Sequence, residues 1–231
     1  MSNNESIKDM TAGFDLEESV YLFQLSDHYI INNLLGGNMN RVWEVAEKVN
    51  NHSKGMLQEH TDGVRTLEKK WIENFQRRIY DKLDDTGKAK VIKTAKNDIS
   101  NILDGMKPSK NKIMLYRNAW VDHQDSWRLY EEFLPGYNMN DTVEFKIISS
   151  TSKSPVLSPD TESRDFYRYE ITVPENGFIL ELDQVNSPVR NQDEVLLPPM
   201  KCKVKNVRKS DNEKCRGIIE LEYIEKLPVK I

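Results

Sequence analysis

Residues 86–120 read TGKAKVIKTAKNDISNILDGMKPSKNKIMLYRNAW, and the pattern changes character partway through. Up to Leu103 the apolar residues Ala89, Ile92, Ala95, Ile99, Ile102 and Leu103 recur at intervals that keep one face of an α-helix apolar. Gly105 and Pro108 then stop it, since glycine tolerates the left-handed turn at a helix end and proline cannot continue the hydrogen-bond ladder. Beyond Pro108 the apolar residues come in short or alternating runs separated by Pro, Gly, Asn and Asp, the signature of strands and turns. This stretch divides the chain into a helical part and a strand-rich part.

Upstream, three further helical stretches are expected. Asp15 is placed to cap the first, with Glu18 closing it from the third position and Leu16, Val20, Tyr21 and Phe23 following; Gly36 and Gly37 end that segment. The second centres on Val42, Trp43, Ala46 and Val49. The third runs through Val64, Leu67, Trp71, Ile72, Phe75, Ile79 and Leu83. Its stripe of Trp71, Phe75 and Ile79 reads as core, the other reading being a partner-binding face. Downstream, strands are expected near 112–116, 143–149, 167–173, 178–182, 195–204 and 217–223, with a polar loop at 153–165. Helices first and strands afterwards predict an α+β fold rather than a βαβ repeat. No G-x-G-x-x-G or Walker lysine loop is present, so a bound nucleotide would be held by another device. The expected division is a disordered tail over 1–14, helices over 15–108 and a β-rich part over 109–231, the last two forming one domain.

With 38% hydrophobic and 30% charged residues in 231, a packed fold is expected. The 33 basic and 37 acidic side chains are interspersed at a formal charge of −4, which does not give the positive field of a dedicated nucleic-acid binder. No apolar run approaches the roughly 20 residues that cross a bilayer, and MSNNESIKDM lacks the layout of a secretory signal. A soluble protein, cytoplasmic where it is made, with no membrane partner, is expected. Cys202 and Cys215 have neither a CxxC partner nor a histidine cluster nearby, which favours two reduced thiols over a zinc site or a disulfide scaffold. His28, His52, His60 and His123 follow no ligand spacing.

Three segments of the β half carry residues suited to chemistry: MLYRNAW (114–120) with Arg117, FKIISSTSKS (145–154) with Ser150, Thr151 and Ser152, and RNQDEVLLPP (190–199) with Gln192 and Glu194. An arginine at the end of a buried strand could grip a pyrophosphate or ribose with its planar fork, or form a surface ion pair. Three small hydroxyl residues give short hydrogen-bonding groups without blocking a cleft, or cap a turn. Glu194 stands just before an apolar, proline-closed strand.

In order, spacing and strand context these segments resemble the mono-ADP-ribosyltransferases of the Arg, Ser-Thr-Ser, Glu class, found among bacterial exotoxins, effectors and phage-encoded host-modifying enzymes. The resemblance covers about residues 90–225, with a weaker likeness in HYIINNLLGG (28–37) to the family's first helix. It implies a split, mostly antiparallel β-sandwich behind the N-terminal helices, NAD as substrate, no metal, a protein target as acceptor, a monomer, and delivery into or action within a host cell. It further implies that Arg117 anchors NAD, that Ser150 orients the catalytic Glu194, and that Thr151 and Ser152 shape the nicotinamide pocket. Arg164 and Phe166 stand about where relatives supply an arginine to phosphate and an aromatic ring to nicotinamide, with a plain strand start as the other reading. Asn118 and Trp120 are implied on the adenosine side.

Gln192 occupies the place where arginine-modifying members, and typically the phage host-takeover transferases, carry a second Glu. A neutral amide offers only hydrogen bonds. The Gln-x-Glu arrangement is similar to that of Rho-modifying clostridial exoenzymes, which act on asparagine, and implies a non-arginine acceptor. The loop 183–191, DQVNSPVRN, is implied to face that acceptor but lacks the aromatic residue of the Rho-modifying relatives. The alternatives are a NAD glycohydrolase with water as acceptor and a non-catalytic interaction module of the same fold.

Overall fold

The structure, a computed structural model, describes residues 15–24, 28–120, 137–155, 165–185 and 193–230. Five helices lie among them: α1 (Leu16–Leu22), α2 (His28–Leu35), α3 (Met39–Thr61), α4 (Lys69–Arg78) and α5 (Asp85–Gly105). Asp15 caps α1 as expected, its carboxylate accepting from the Glu18 N–H at 2.9 Å. The segment ended by Gly36 and Gly37 is two helices rather than one. Gly37 takes a φ of +74°, which lets the Asn38 N–H return to the Asn33 carbonyl at 2.9 Å and close α2.

The α4 helix is shorter than its periodicity predicts, and a side chain of α3 explains its early end. The Asn50 amide donates to the Tyr80 carbonyl at 3.0 Å and its oxygen accepts from the Tyr80 N–H at 3.1 Å. Both backbone groups of Tyr80 are thereby taken, and the chain leaves the helix at Ile79 with an extended backbone. Trp71 and Phe75 are buried with Tyr21, Leu22 and Met56, so the aromatic stripe is core. Between α4 and α5, Arg78 and Asp98 form a buried ion pair, the carboxylate accepting from Nη1 at 3.1 Å and Nη2 at 3.0 Å.

Nine strands follow: β1 (Lys107–Pro108), β2 (Ile113–Trp120), β3 (Thr142–Phe145), β4 (Ser149–Ser152), β5 (Phe166–Val173), β6 (Phe178–Glu181), β7 (Glu194–Leu197), β8 (Met200–Arg208) and β9 (Cys215–Lys226). Their order is β1-β6-β7-β4-β2-β5-β9-β8-β3, antiparallel throughout except for the parallel pair β5–β9. A single residue pair, Tyr116 with Ser152, joins β4 to β2. The sheet is therefore split into a four-stranded and a five-stranded half, an α+β arrangement with a mostly antiparallel, divided sheet.

Two expected strands break where the chain passes between these halves. Residues 143–149 become β3 and β4, because the N–H and C=O of Ile148 are both bonded by the Asn32 side chain of α2, at 3.0 and 3.2 Å, instead of by a neighbouring strand. Residues 195–204 break into β7 and β8 at Pro198 and Pro199, which have no N–H to donate to a ladder.

Two cores result. One fills the space enclosed by the two halves and includes Leu115, Tyr169, Ile171, Val195, Leu197 and Leu221. The other lies between the helices and the four-stranded half, where Val20, Ile31, Val42 and Ile99 meet Ile148, Leu180 and Leu196. Alternation along β7 sends Val195 and Leu197 to the first and Leu196 to the second, so this strand reads as a continuous apolar run. Cys202 and Cys215 are both buried free thiols. No helix among the described residues is long and apolar enough to cross a membrane.

Candidate active site

Where the two sheet halves part, β4 and β7 run antiparallel with Ser152 opposite Glu194 and Ser150 opposite Leu196. Ser150 and Glu194 are thus diagonal neighbours on one face, close enough for short side chains to meet. The Ser150 hydroxyl donates to Glu194 Oε1 at 2.6 Å. The carbonyl of the same serine accepts from Arg117 Nη1 at 2.6 Å, across the gap that separates β2 from β4 beyond their single pair. Arg117 shares the face of the buried Leu115 and Ala119, two residues to either side, so its side chain leaves β2 on the inward face and meets β4 at the mouth of the sandwich. Arg117, Ser150 and Glu194, from three strands, are brought into one chain of hydrogen bonds.

Two residues outside the sequence expectations complete this geometry. The second oxygen of Glu194, Oε2, accepts from Gln24 Nε2 at 2.8 Å, a contact from the end of α1. Lys153, just after β4, donates its backbone N–H to the Asp193 carbonyl at 2.9 Å and so extends the β4–β7 pairing past Glu194. Its ammonium bonds Glu181 at 2.9 Å and lies 3.5 Å from Asp183. The hydrogen bond to Glu181 raises the Lys153 pKa above the ordinary lysine value, against a smaller desolvation effect. Neither residue carried a signal in the sequence: Gln24 lies 170 positions from Glu194, and Lys153 is one lysine among many.

The remaining expected site residues are placed as follows. Ser152 is half-buried on the Ser150 face of β4. Thr151 points the other way, is only 4% exposed, and donates to the Val195 carbonyl at 2.6 Å. Its side chain thus ties β4 to β7 on the face opposite Ser150, as strand alternation requires. Asn118 likewise faces away from Arg117, its oxygen accepting from Arg168 Nε at 3.3 Å. The Phe166 ring is fully buried, in a cluster with Cys215 and Ile218. Gln192, Arg164, the Trp120 side chain and residues 186–191 of the acceptor-side loop lie outside the described residues. No cluster of three His, Cys, Asp or Glu suited to a metal ion occurs among the described residues.

No protein-family model and no curated protein sequence matches the chain. Its fold does match solved structures. The ATR domain of Salmonella SpvB aligns with a TM-score of 0.54 at 14% identity, over 91% of this chain and 98% of that one. The catalytic domain of VahC from Aeromonas hydrophila aligns at 0.52 and 15% identity, over 90% and 97% respectively. A looser match, with a TM-score of 0.42 and 17% identity over 93% and 75%, is to the Vis toxin, an ADP-ribosyltransferase from Vibrio splendidus. The chain has the ADP-ribosyltransferase fold.

Proposed function

We propose that this protein is a NAD-dependent mono-ADP-ribosyltransferase, which breaks the bond between nicotinamide and its ribose and passes ADP-ribose to a side chain of a target protein. The observation that carries this reading is the 2.6 Å hydrogen bond from Ser150 to Glu194, with Arg117 bonded to the backbone of the same serine. A carboxylate, an orienting hydroxyl and a planar cation at the mouth of a split sheet are the donor and acceptor set that a dinucleotide needs.

The chemistry uses each of them. When the C1′–N bond breaks, its electron pair leaves with nicotinamide and neutralises the pyridinium, and positive charge develops on the ribose. An ionised Glu194 beside that ribose stabilises the transition state more than the ground state, where the charge sits on the nicotinamide ring. Its carboxylate accepts from the ribose 2′-hydroxyl while Ser150 holds its orientation. Arg117 grips the phosphate-bearing part of the substrate, fixing C1′ against the carboxylate. A lone pair of the acceptor then closes on C1′, and the acceptor's proton passes to solvent. NAD is consumed as a substrate, and none of these steps calls for a metal. Gln192, a neutral amide two residues before Glu194, supports an acceptor other than a guanidinium.

The test incubates the purified protein and a Glu194→Gln variant with labelled NAD, alone and with bacterial and eukaryotic lysates, following free nicotinamide and label on macromolecules. Label on a discrete protein band, lost in the variant, is the expected result. Nicotinamide release without labelled protein would make water the acceptor. No turnover in any condition, with no shift in melting temperature on adding NAD, would refute the reading.

A further inference from the structure

The N-terminal helices hold the back of the four-stranded half, but one of their residues reaches the chemistry. Gln24 follows α1 and donates to Glu194 Oε2 at 2.8 Å. We propose that Gln24 is a positioning residue of the active site, which with Ser150 fixes the plane of the Glu194 carboxylate; this rests on the transferase reading above.

A terminal carboxylate torsion is broad and roughly two-fold, so one hydrogen bond at Oε1 leaves the group free to swing about it. A second donor at Oε2 removes that freedom. Each oxygen keeps lone-pair capacity for a further donor, so both anchors coexist with a ribose hydroxyl on the carboxylate. Preorganisation of this kind acts on the rate, because the carboxylate no longer has to be ordered as charge develops on the ribose.

The backbone carrying Gln24 is held firmly enough for this role. On the α1 side, the Ser19 hydroxyl donates to the buried Asp98 at 2.8 Å, and Phe23 is buried. On the α2 side, the His28 ring bonds the Phe23 carbonyl at 2.9 Å, and the buried Asn32 clamps both backbone groups of Ile148 two residues before Ser150. The same two helices that fix the position of β4 thus present the second donor to Glu194. The helical part is a constituent of the site.

Three substitutions separate positioning from space filling. Gln24→Ala removes the donor and the volume, Gln24→Met keeps most of the volume without a donor, and Gln24→Glu keeps the shape but sets an acceptor against Glu194. All three are measured as nicotinamide release at varied NAD, beside the wild type, with melting temperature as the control for folding. For Ala and Met the expected result is a loss of about tenfold to a hundredfold in kcat, the worth of a hydrogen bond to a charged group, with KM within about twofold. The Glu variant is expected to lose at least as much. Wild-type kcat in the Met or Glu variant, or a raised KM at unchanged kcat, would overturn the positioning role and leave the transferase reading standing. A wild type that turns over no NAD would overturn both.

Discussion

Replacing Asp98 by alanine removes the acceptor at the centre of the buried polar cluster that joins α1, α4 and α5. The carboxylate is fully buried and Arg78 is 8% exposed. Asp98 takes hydrogen bonds from both terminal nitrogens of Arg78 and from Ser19 Oγ, and Ser19 in turn accepts from Asn101 at 3.1 Å. Burial pushes the Asp98 carboxyl up from the ordinary aspartate range, while Arg78 and Ser19 pull it back. Asp98→Ala leaves a guanidinium without its counter-charge in a nearly dry site, a situation that destabilises by about 3–5 kcal/mol. For a chain of this length 1 kcal/mol moves Tm by roughly 2–4 °C, so a fall of about 6–20 °C is expected. The double variant Arg78→Met/Asp98→Leu removes both charges and fills the space with apolar groups, and it should melt well above the single variant. Urea and thermal unfolding of the wild type, the single and the double variant measure both differences. A single variant that melts within about 2 °C of the wild type, less than 1 kcal/mol would produce, refutes the reasoning, as does a double variant melting no higher than the single.

Glu194→Gln should lower kcat for nicotinamide release by about a thousandfold, since a unit charge some 4 Å from the developing cation is worth about 4 kcal/mol near a protein surface. Melting should change little, because a glutamine can still pair with Ser150 and with a reoriented Gln24; single-turnover kinetics and calorimetry check the two halves of this expectation. Burial pushes the Cys202 thiol and the Tyr80 hydroxyl up to about 12, from 9.0 and 10.0. Unfolded chains therefore release these protons first, and stability is full below about pH 9 and falls as pH rises toward 12. Urea midpoints between pH 8 and 11 should show that fall, and Cys202→Val with Tyr80→Phe should flatten it. Gly87→Ala should destabilise by about 1–3 kcal/mol despite the better helix propensity of alanine, because its Cβ would lie 2.1 Å from the Lys82 carbonyl oxygen. Thermal unfolding of that variant is sufficient to check it.

What was legible in the sequence was local. Asp15 with Glu18 marks a helix start by its own chemistry, and the change of period across residues 86–120 separates helices from strands without reference to any other segment. Arg117, Ser150 and Glu194 could be picked out because each stands beside an apolar strand. Sequence pattern and structure part where a distant side chain decides the local conformation. Ile147 and Ile148 prolong an apolar pattern that looks like strand, and only Asn32, 116 residues upstream, diverts it. Asn50 ends α4 in the same way. Strand alternation alone sets Thr151 on the face opposite Ser150. The burial of Phe166 depends on Cys215 and Ile218, which no local pattern connects to it.

The hydrogen bond between Gln24 and Glu194 closes a loop of 170 residues, and this bears on how the protein folds. Bringing such remote segments together loses chain entropy before any contact rewards it, which slows folding relative to structures built from neighbours in sequence. The parallel pairing of β9 with β5 adds a second late step, because the last strand lies beside one that starts 49 positions earlier. Glu194 can meet both its donors only after helices made first have docked on strands made much later. Activity during refolding should therefore appear with the slowest phase, after the helical signal has recovered, so that turnover times the completion of the whole fold.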